Sequence, residues 1–240
     1  MIAERLVWQM AREIRDGAVV ATGVASPLAV LAIAVAKATH APTLTYLACV
    51  GAIDPDVTRL HRSSEDLAYL SGRAGEITIP DLFDHARRGH VDTVFFGAVE
   101  VDGDGGTNLT AAGSLAKPLT KFPGVVGACS LRRWCNHPVL VVPRHSARCL
   151  VPRVRIRSTA DARRTRLLTD LALFSIGDGG AKLEAIARHA TLDEVRARTG
   201  FAFRETPELV RLADPPADAL AAIHRLDPDN LRADLVGRAA

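Results

Sequence analysis

The chain has 240 residues and a mass of 25.6 kDa, with 48% hydrophobic residues, 5% aromatic residues and a formal charge of +3 at pH 7. That size suits one large α/β domain whose core is filled by Ala, Val and Leu rather than by aromatic rings. The small charge makes no case by itself for a polynucleotide partner. The four cysteines, Cys49, Cys129, Cys135 and Cys149, contain no Cys-x-x-Cys pair, and reduced thiols in the cytoplasm are the better reading.

In chain order, Ile2, Leu6, Met10 and Ile14 recur every four residues among charges, which predicts an amphipathic helix over 1–16. Ala18–Thr22 is a short apolar strand. Gly23-Val24-Ala25-Ser26-Pro27 turns into a second helix reaching about Thr39, with Ser26 as N-cap and Pro27 in the first helical position. Leu44–Cys49 is the next strand, completing a βαβ unit whose strands run parallel and are buried on both faces. Gly17–Ala36 is uncharged over a length able to cross a bilayer. Gly23, Ser26 and Pro27 interrupt it, and Glu13, Arg15 and Asp16 before it make no basic signal region, so it reads as buried strand and helix without a membrane role.

Further on, residues 81–89 predict a helix capped by Asp81 and stopped by Gly89. Val94–Phe96 is a buried strand that leads to the turn Asp102-Gly103-Asp104-Gly105-Gly106, followed by Thr107 and Asn108. A second glycine turn is Gly124-Val125-Val126-Gly127-Ala128. Turns of this kind bring backbone N–H groups close to an oxygen-rich ligand. Val139–Val142, Val154–Ile156 and Leu167–Phe174 read as strands. Thr191–Thr199 is a helix with Glu194 at the capping-box position, and Pro207–Arg232 reads as mainly helical. The fold class is therefore α/β, an open, mainly parallel sheet flanked by helices.

Ligands of open α/β sheets bind outside the carboxyl ends of the strands. Gly23–Ser26, Cys49–Asp54 and the loop after Val94–Phe96 lie at those ends and form the expected rim. Cys49 is the sharpest single residue there. As a small core residue it is inert; as a nucleophile it needs a cationic or helix N-terminal neighbour, and none stands nearby in the sequence. Arg132, Arg133, Arg144, Arg148, Arg153, Arg155, Arg157, Arg163, Arg164 and Arg166 face one acid, Asp161. This run reads first as a solvated face, with an acidic partner or the phosphates of a cofactor as the rival. No aromatic residues interleave as base-stacking platforms would. Cys129, Cys135 and His137 match no trusted zinc spacing, so no metal is expected. No nucleophile elbow, P-loop or dinucleotide fingerprint is present.

The order of these pieces resembles the β subunit of class I CoA-transferases, the glutaconate and 3-oxoacid type. The resemblance is carried by Asp16-Gly17 into Val19–Gly23, Pro27, the Gly97…Asp102…Gly105…Asn108 stretch, the Gly124–Ala128 turn, Thr191–Phe203 and Ile223…Asp227-Pro228. It covers nearly the whole chain, 1–240, as one β-subunit-like domain. It implies a homologous α subunit in a heterodimer or heterotetramer, an acyl-CoA substrate, and coenzyme A as a substrate moiety with no separate cofactor. The CoA- and substrate-binding residues it implies are Gly23, Ser26, Gly51, Gly97, Asn108, Gly124, Gly127 and Ala128. In that family a glutamate, followed by a small residue and Gly, attacks the acyl-CoA and carries CoA as a glutamyl thioester.

Here that motif falls on Cys49-Val50-Gly51, and the glutamate is absent. A thiol can accept an acyl group but cannot form the glutamyl-CoA thioester. The departure is similar to that of a subgroup of ring-opening steroid CoA-thioester hydrolases, which use an α-subunit carboxylate to activate water. Three readings follow: transfer of CoA between carboxylic acids, hydrolysis of a C–C or thioester bond with a partner's glutamate, and a non-catalytic CoA-binding subunit. Asp54, Asp56 and Glu100 are the nearby acids able to serve as base, and each also suits a turn or the surface.

Overall fold

The computed structural model describes residues 1–160 and 164–237; Asp161 and Arg163 of the arginine-rich run lie outside them. The chain divides into two compact units, residues 1–95 with 134–137 and 214–240, and residues 96–133 with 138–213.

The first unit is built on the predicted βαβ element. Helix α1 (Ile2–Arg12) leads to β1 (Val19–Ala21), α2 (Pro27–Ala38) and β2 (Thr45–Ala48). β1 and β2 pair in parallel, Val19 opposite Thr45 through Ala21 opposite Leu47. Ser26 is the N-cap residue of α2 with Pro27 behind it, although the Ser26 hydroxyl bonds back to the Val24 carbonyl rather than to the helix. Nine of the twelve residues of α2 are buried, so an uncharged segment of this length is spent on a core helix. Among the described residues no helix is long and apolar enough to cross a membrane. β2 then folds straight back as β3 (Ala52–Ile53), antiparallel to it, and β4 (Gly75–Glu76) adds to that edge. α3 (Ile79–Arg87) is capped not by Asp81 but by Thr78, whose hydroxyl accepts the Asp81 N–H; Pro80 stands in its first turn. β5 (Thr93–Gly97) lies parallel to β1 on its other side. The C-terminal helices, Ala217–Leu226 and Leu231–Gly237, belong to this unit. Arg232 on the second holds Glu4 of α1 at 2.8 Å and Asp227 at 2.9 Å, all three buried.

The second unit orders its strands β15 (Phe203–Arg211), β14 (Gly180–Ile186), β13 (Ala172–Gly177), β12 (Thr165–Thr169) and β10 (His137–Val142) side by side. β10 (His137–Val142) and β12 (Thr165–Thr169) are parallel. The single strand expected at Leu167–Phe174 is two strands, β12 and β13 (Ala172–Gly177), because the Thr169 hydroxyl accepts the N–H groups of Leu171 and Ala172 and closes a turn between them. β14 (Gly180–Ile186) follows antiparallel. α5 (Leu192–Arg198) opens on Thr191 with its hydroxyl on the Glu194 N–H, as the spacing predicts. Pro207–Arg211, the start of the segment expected to be mainly helical, instead lies in β15 (Phe203–Arg211), parallel to β14. The ladder slips between Leu183 and Ala185, where Pro207 has no N–H to give.

Val154–Ile156 is not a strand. Its backbone donates to side chains instead, Val154 N–H to Asp102 and Arg155 N–H to Glu100. The alternation of arginine with apolar residues there marks a segment pinned to two carboxylates. A small sheet of β6 (Glu100–Val101), β7 (Gly106–Asn108) and β11 (Thr159–Ala160), the hairpin of β8 (Ala111–Gly113) with β9 (Pro118–Lys121), and helix α4 (Ala128–Trp134) complete the unit. The α/β class and the open sheets flanked by helices are therefore as read from sequence, with parallel strands inside each unit and antiparallel hairpins added.

Candidate functional site around Cys49

Cys49 sits at the tip of the β2–β3 hairpin, in a turn closed by the Gly51 N–H on the Ala48 carbonyl at 2.9 Å. Gly51 is required there. Its φ is +94°, and a Cβ would stand 3.2 Å from the Ile77 carbonyl oxygen. The turn is thus locked from both sides, and the side chain it presents is a thiol.

A second loop closes over it. Ser64 is fully buried. Its carbonyl accepts the Cys49 thiol at 3.2 Å. Its hydroxyl accepts the Ser26 N–H at 3.0 Å and reaches the Gly23 carbonyl at 3.2 Å. The exposed carboxylate of Glu65 accepts the Ala25 N–H at 3.3 Å and the Ser63 hydroxyl at 2.6 Å. Ala25 has φ +55°, in the left-handed region where a side chain is strained; the Glu65 bond helps to hold it there. The loop after β1, the turn after β2 and residues 63–65 therefore form one hydrogen-bonded clasp. Beneath it, the buried hydroxyls of Thr22 and Tyr46 lie 2.9 Å apart.

These surroundings decide the state of the thiol. Burial pushes its pKa up and the Glu65 carboxylate adds to the rise, outweighing the hydrogen bonds with Ser64 and Thr22. Cys49 is a neutral thiol at pH 7, the opposite of an activated nucleophile. Among the described residues none of the four cysteines is joined in a disulfide.

Gly23, Ser26, Cys49 and Gly51 are thus brought together in the first unit. Gly97, Asn108, Gly124, Gly127 and Ala128 belong to the second. The Asn108 side chain is buried and committed: its NH₂ donates to Glu100 and the Ala111 carbonyl, and its oxygen accepts the N–H groups of Thr110 and Ala111. Gly97 and Gly124 have nothing within 4 Å of the place a Cβ would take, and Gly124 has φ +90°. Ala128 opens α4, with the Gly127 carbonyl accepting the Leu131 N–H. Of the acids offered as candidate bases, Asp54 is paired with Lys37. Asp56 lies against the Gly72 backbone, and Glu100 bonds Asn108 and Arg155. Glu65 is the carboxylate beside the thiol, and sequence reading missed it. Its signal was Ser63-Ser64-Glu65-Asp66, a turn-forming run whose partners stand far earlier in the chain, Ser26 lying 38 residues before Ser64. In the arginine-rich run, Arg132 is buried and bonded to Thr159 and the Gly105 carbonyl, and Arg157 pairs with Asp102. Arg133, Arg148, Arg153, Arg155, Arg157 and Arg164 are exposed.

Comparison with known proteins gives this geometry a context. The chain is 24% identical to a subunit of the 3-oxoadipate CoA-transferase of Pseudomonas knackmussii, over 93% of this chain and 92% of that protein. It is 29% identical to the β subunit of the acetate CoA-transferase of Escherichia coli, over 86% and 95%. The crystal structure of the decarboxylase AibA/AibB contains a chain that superposes with a TM-score of 0.95 at 59% identity, covering 99% of both. The family profile described as coenzyme A transferase matches residues 4–197. The chain belongs to the coenzyme A transferase family, among its β-type subunits.

Proposed function

We propose that this chain is the β subunit of a heteromeric enzyme that decarboxylates an acyl-CoA, with no covalent intermediate on Cys49 and an α-type subunit as partner. The observation that carries this reading is the site itself: a locked turn presents a neutral, hydrogen-bonded thiol where the family's motif calls for a carboxylate nucleophile. The 59% identity to the decarboxylase supports it. Four further structures of that protein replace one cysteine by Asn, Val, Ala or Ser, and the identity of this chain to each is 58% at unchanged coverage.

Decarboxylation needs an electron sink, and the thioester is one. The substrate's carboxyl must sit β to the thioester carbonyl, or one double bond further along. The C–C bond to the carboxylate then breaks, its electron pair passes into the thioester as an enolate, neutral CO₂ leaves, and solvent returns a proton to carbon. No cofactor beyond the CoA moiety of the substrate is called for. Gly23, Ser26, Gly51, Gly97, Asn108, Gly124, Gly127 and Ala128 remain the residues proposed to shape the CoA and acyl sites, Asn108 through backbone placement.

The test is to co-purify the chain with its α partner and supply acyl-CoA thioesters bearing a second carboxyl in those positions. The expected product is an acyl-CoA lighter by one CO₂. The second reading, CoA transfer, is favoured by the two transferase relatives; it predicts exchange of CoA onto a free carboxylic acid, with CO₂ absent. Release of free CoA or a ring-opened acid would instead mean hydrolysis, and binding of CoA without turnover a non-catalytic subunit.

A further inference from the structure

Glu65 is the charged group of the clasp, and the proposed chemistry gives it no role. Its carboxylate is exposed, yet it is held by the Ala25 N–H and the Ser63 hydroxyl and lies 3.3 Å from the Ser64 hydroxyl. Ser64 in turn holds the Cys49 thiol through its carbonyl. A fixed negative charge thus stands one residue from the group that the locked turn presents. We propose that Glu65 is a specificity-determining residue, a charge that keeps free carboxylate anions away from the position of Cys49.

The proposal deepens the decarboxylation reading and takes its catalytic meaning from it. CoA transfer requires a free carboxylate to come up to the thioester unaided. A decarboxylation substrate brings its carboxylate in on the CoA-tethered acyl chain and discharges it as neutral CO₂. The same charge opposes the first and is relieved in the second. The hydrogen bonds fix its place: the Ala25 N–H and the Ser63 hydroxyl hold the carboxylate against the clasp rather than leaving it to sweep the solvent. The upward push of the Glu65 carboxylate on the Cys49 thiol, added to that of burial, accords with this placement.

The test uses Cys49 as a reporter and needs no substrate. The co-purified complex is alkylated at pH 9 with iodoacetamide or with iodoacetate, reagents of nearly equal size that differ in charge, and the Cys49 peptide is quantified by mass spectrometry. Both reagents are attacked by the same thiolate, so the ratio of their rates is independent of the thiol pKa. The ratio, neutral over anionic, is expected to exceed that of the exposed Cys129 in the same sample. It should fall by about threefold or more in Glu65→Gln, which keeps an oxygen acceptor for the clasp, and stay high in Glu65→Asp. High salt should shrink it in the unmodified chain. The Cys129 ratio should not move. An unchanged Cys49 ratio in Glu65→Gln, with the variant folded by circular dichroism, overturns the proposal. Protection of Cys49 from both reagents overturns it too, because a carboxylate that never reaches the thiol needs no charge to exclude it. Neither result touches the decarboxylation assay, so the two readings fail separately.

Discussion

Replacing Ser64 by alanine removes the centre of the clasp while leaving the backbone carbonyl that holds Cys49. The hydroxyl is fully buried; it accepts the Ser26 N–H at 3.0 Å and reaches the Gly23 carbonyl at 3.2 Å. Its loss forfeits one net hydrogen bond, about 1 kcal/mol, and leaves the Ser26 N–H without its acceptor, about 1–3 kcal/mol more. The Ser26 bond is part-buried, so water replaces some of it, and the total comes to about 2 kcal/mol. For a chain of this size that lowers the melting temperature by roughly 4–8 °C. Urea and thermal unfolding measure it, with Ser63→Ala as the control, since that hydroxyl is exposed and should cost no more than about 0.5 kcal/mol. If Ser64→Ala melts with the parent, or no lower than Ser63→Ala, the clasp contributes nothing to stability and the argument built on it fails.

Three further outcomes are expected. Gly51→Ala places a Cβ at φ +94° and 3.2 Å from the Ile77 carbonyl, and should cost about 2 kcal/mol or more by urea unfolding. Arg232→Met leaves Glu4 and Asp227 buried without their cation, a loss of about 3–5 kcal/mol. Burial pushes Glu4 up, but the amino terminus and Arg232 outweigh it and hold it at about 2. The stability it contributes is therefore present above pH 4.5 and lost as pH falls toward 2, which an acid-unfolding titration will show and Arg232→Met will blunt. His145 is lowered too, but by the cost of burying its charged form: burial, helped by Arg198, takes it from 6.5 to about 4. The folded form resists protonation, so stability is full above pH 6.5 and declines between 6.5 and 4, by on the order of 3 kcal/mol. The urea midpoint should fall across that window, and less so in His145→Gln.

The βαβ core was legible because local chemistry and tertiary burial agree there. Ser26-Pro27 starts α2, apolar runs make β1 and β2, and the glycine-locked turn places Cys49 after β2. What was hidden depends on partners distant in sequence. Pro207–Arg211 read as the start of a helical segment; only pairing with β14 makes it part of a strand. Val154–Ile156 looked like a strand because alternation does not reveal that Asp102 and Glu100 capture its N–H groups. The Thr169 turn divided what read as one strand because a single buried hydroxyl caps it. The same reason hid Ser64 and Glu65: nothing in their local run says that Gly23–Ser26 lies across from them. Cys49 was found from its place after a strand, but its protonation state came only from the burial and the carboxylate that the fold places around it.

The measurement that tests the central claim most directly is the intact mass of this chain during turnover, taken from the co-purified complex with a carboxyl-bearing acyl-CoA and repeated with Cys49→Ala. The account predicts CO₂ release, an unmodified chain mass throughout, and turnover that survives the substitution. An acyl or CoA adduct mapped to Cys49, with turnover abolished in Cys49→Ala, would contradict it.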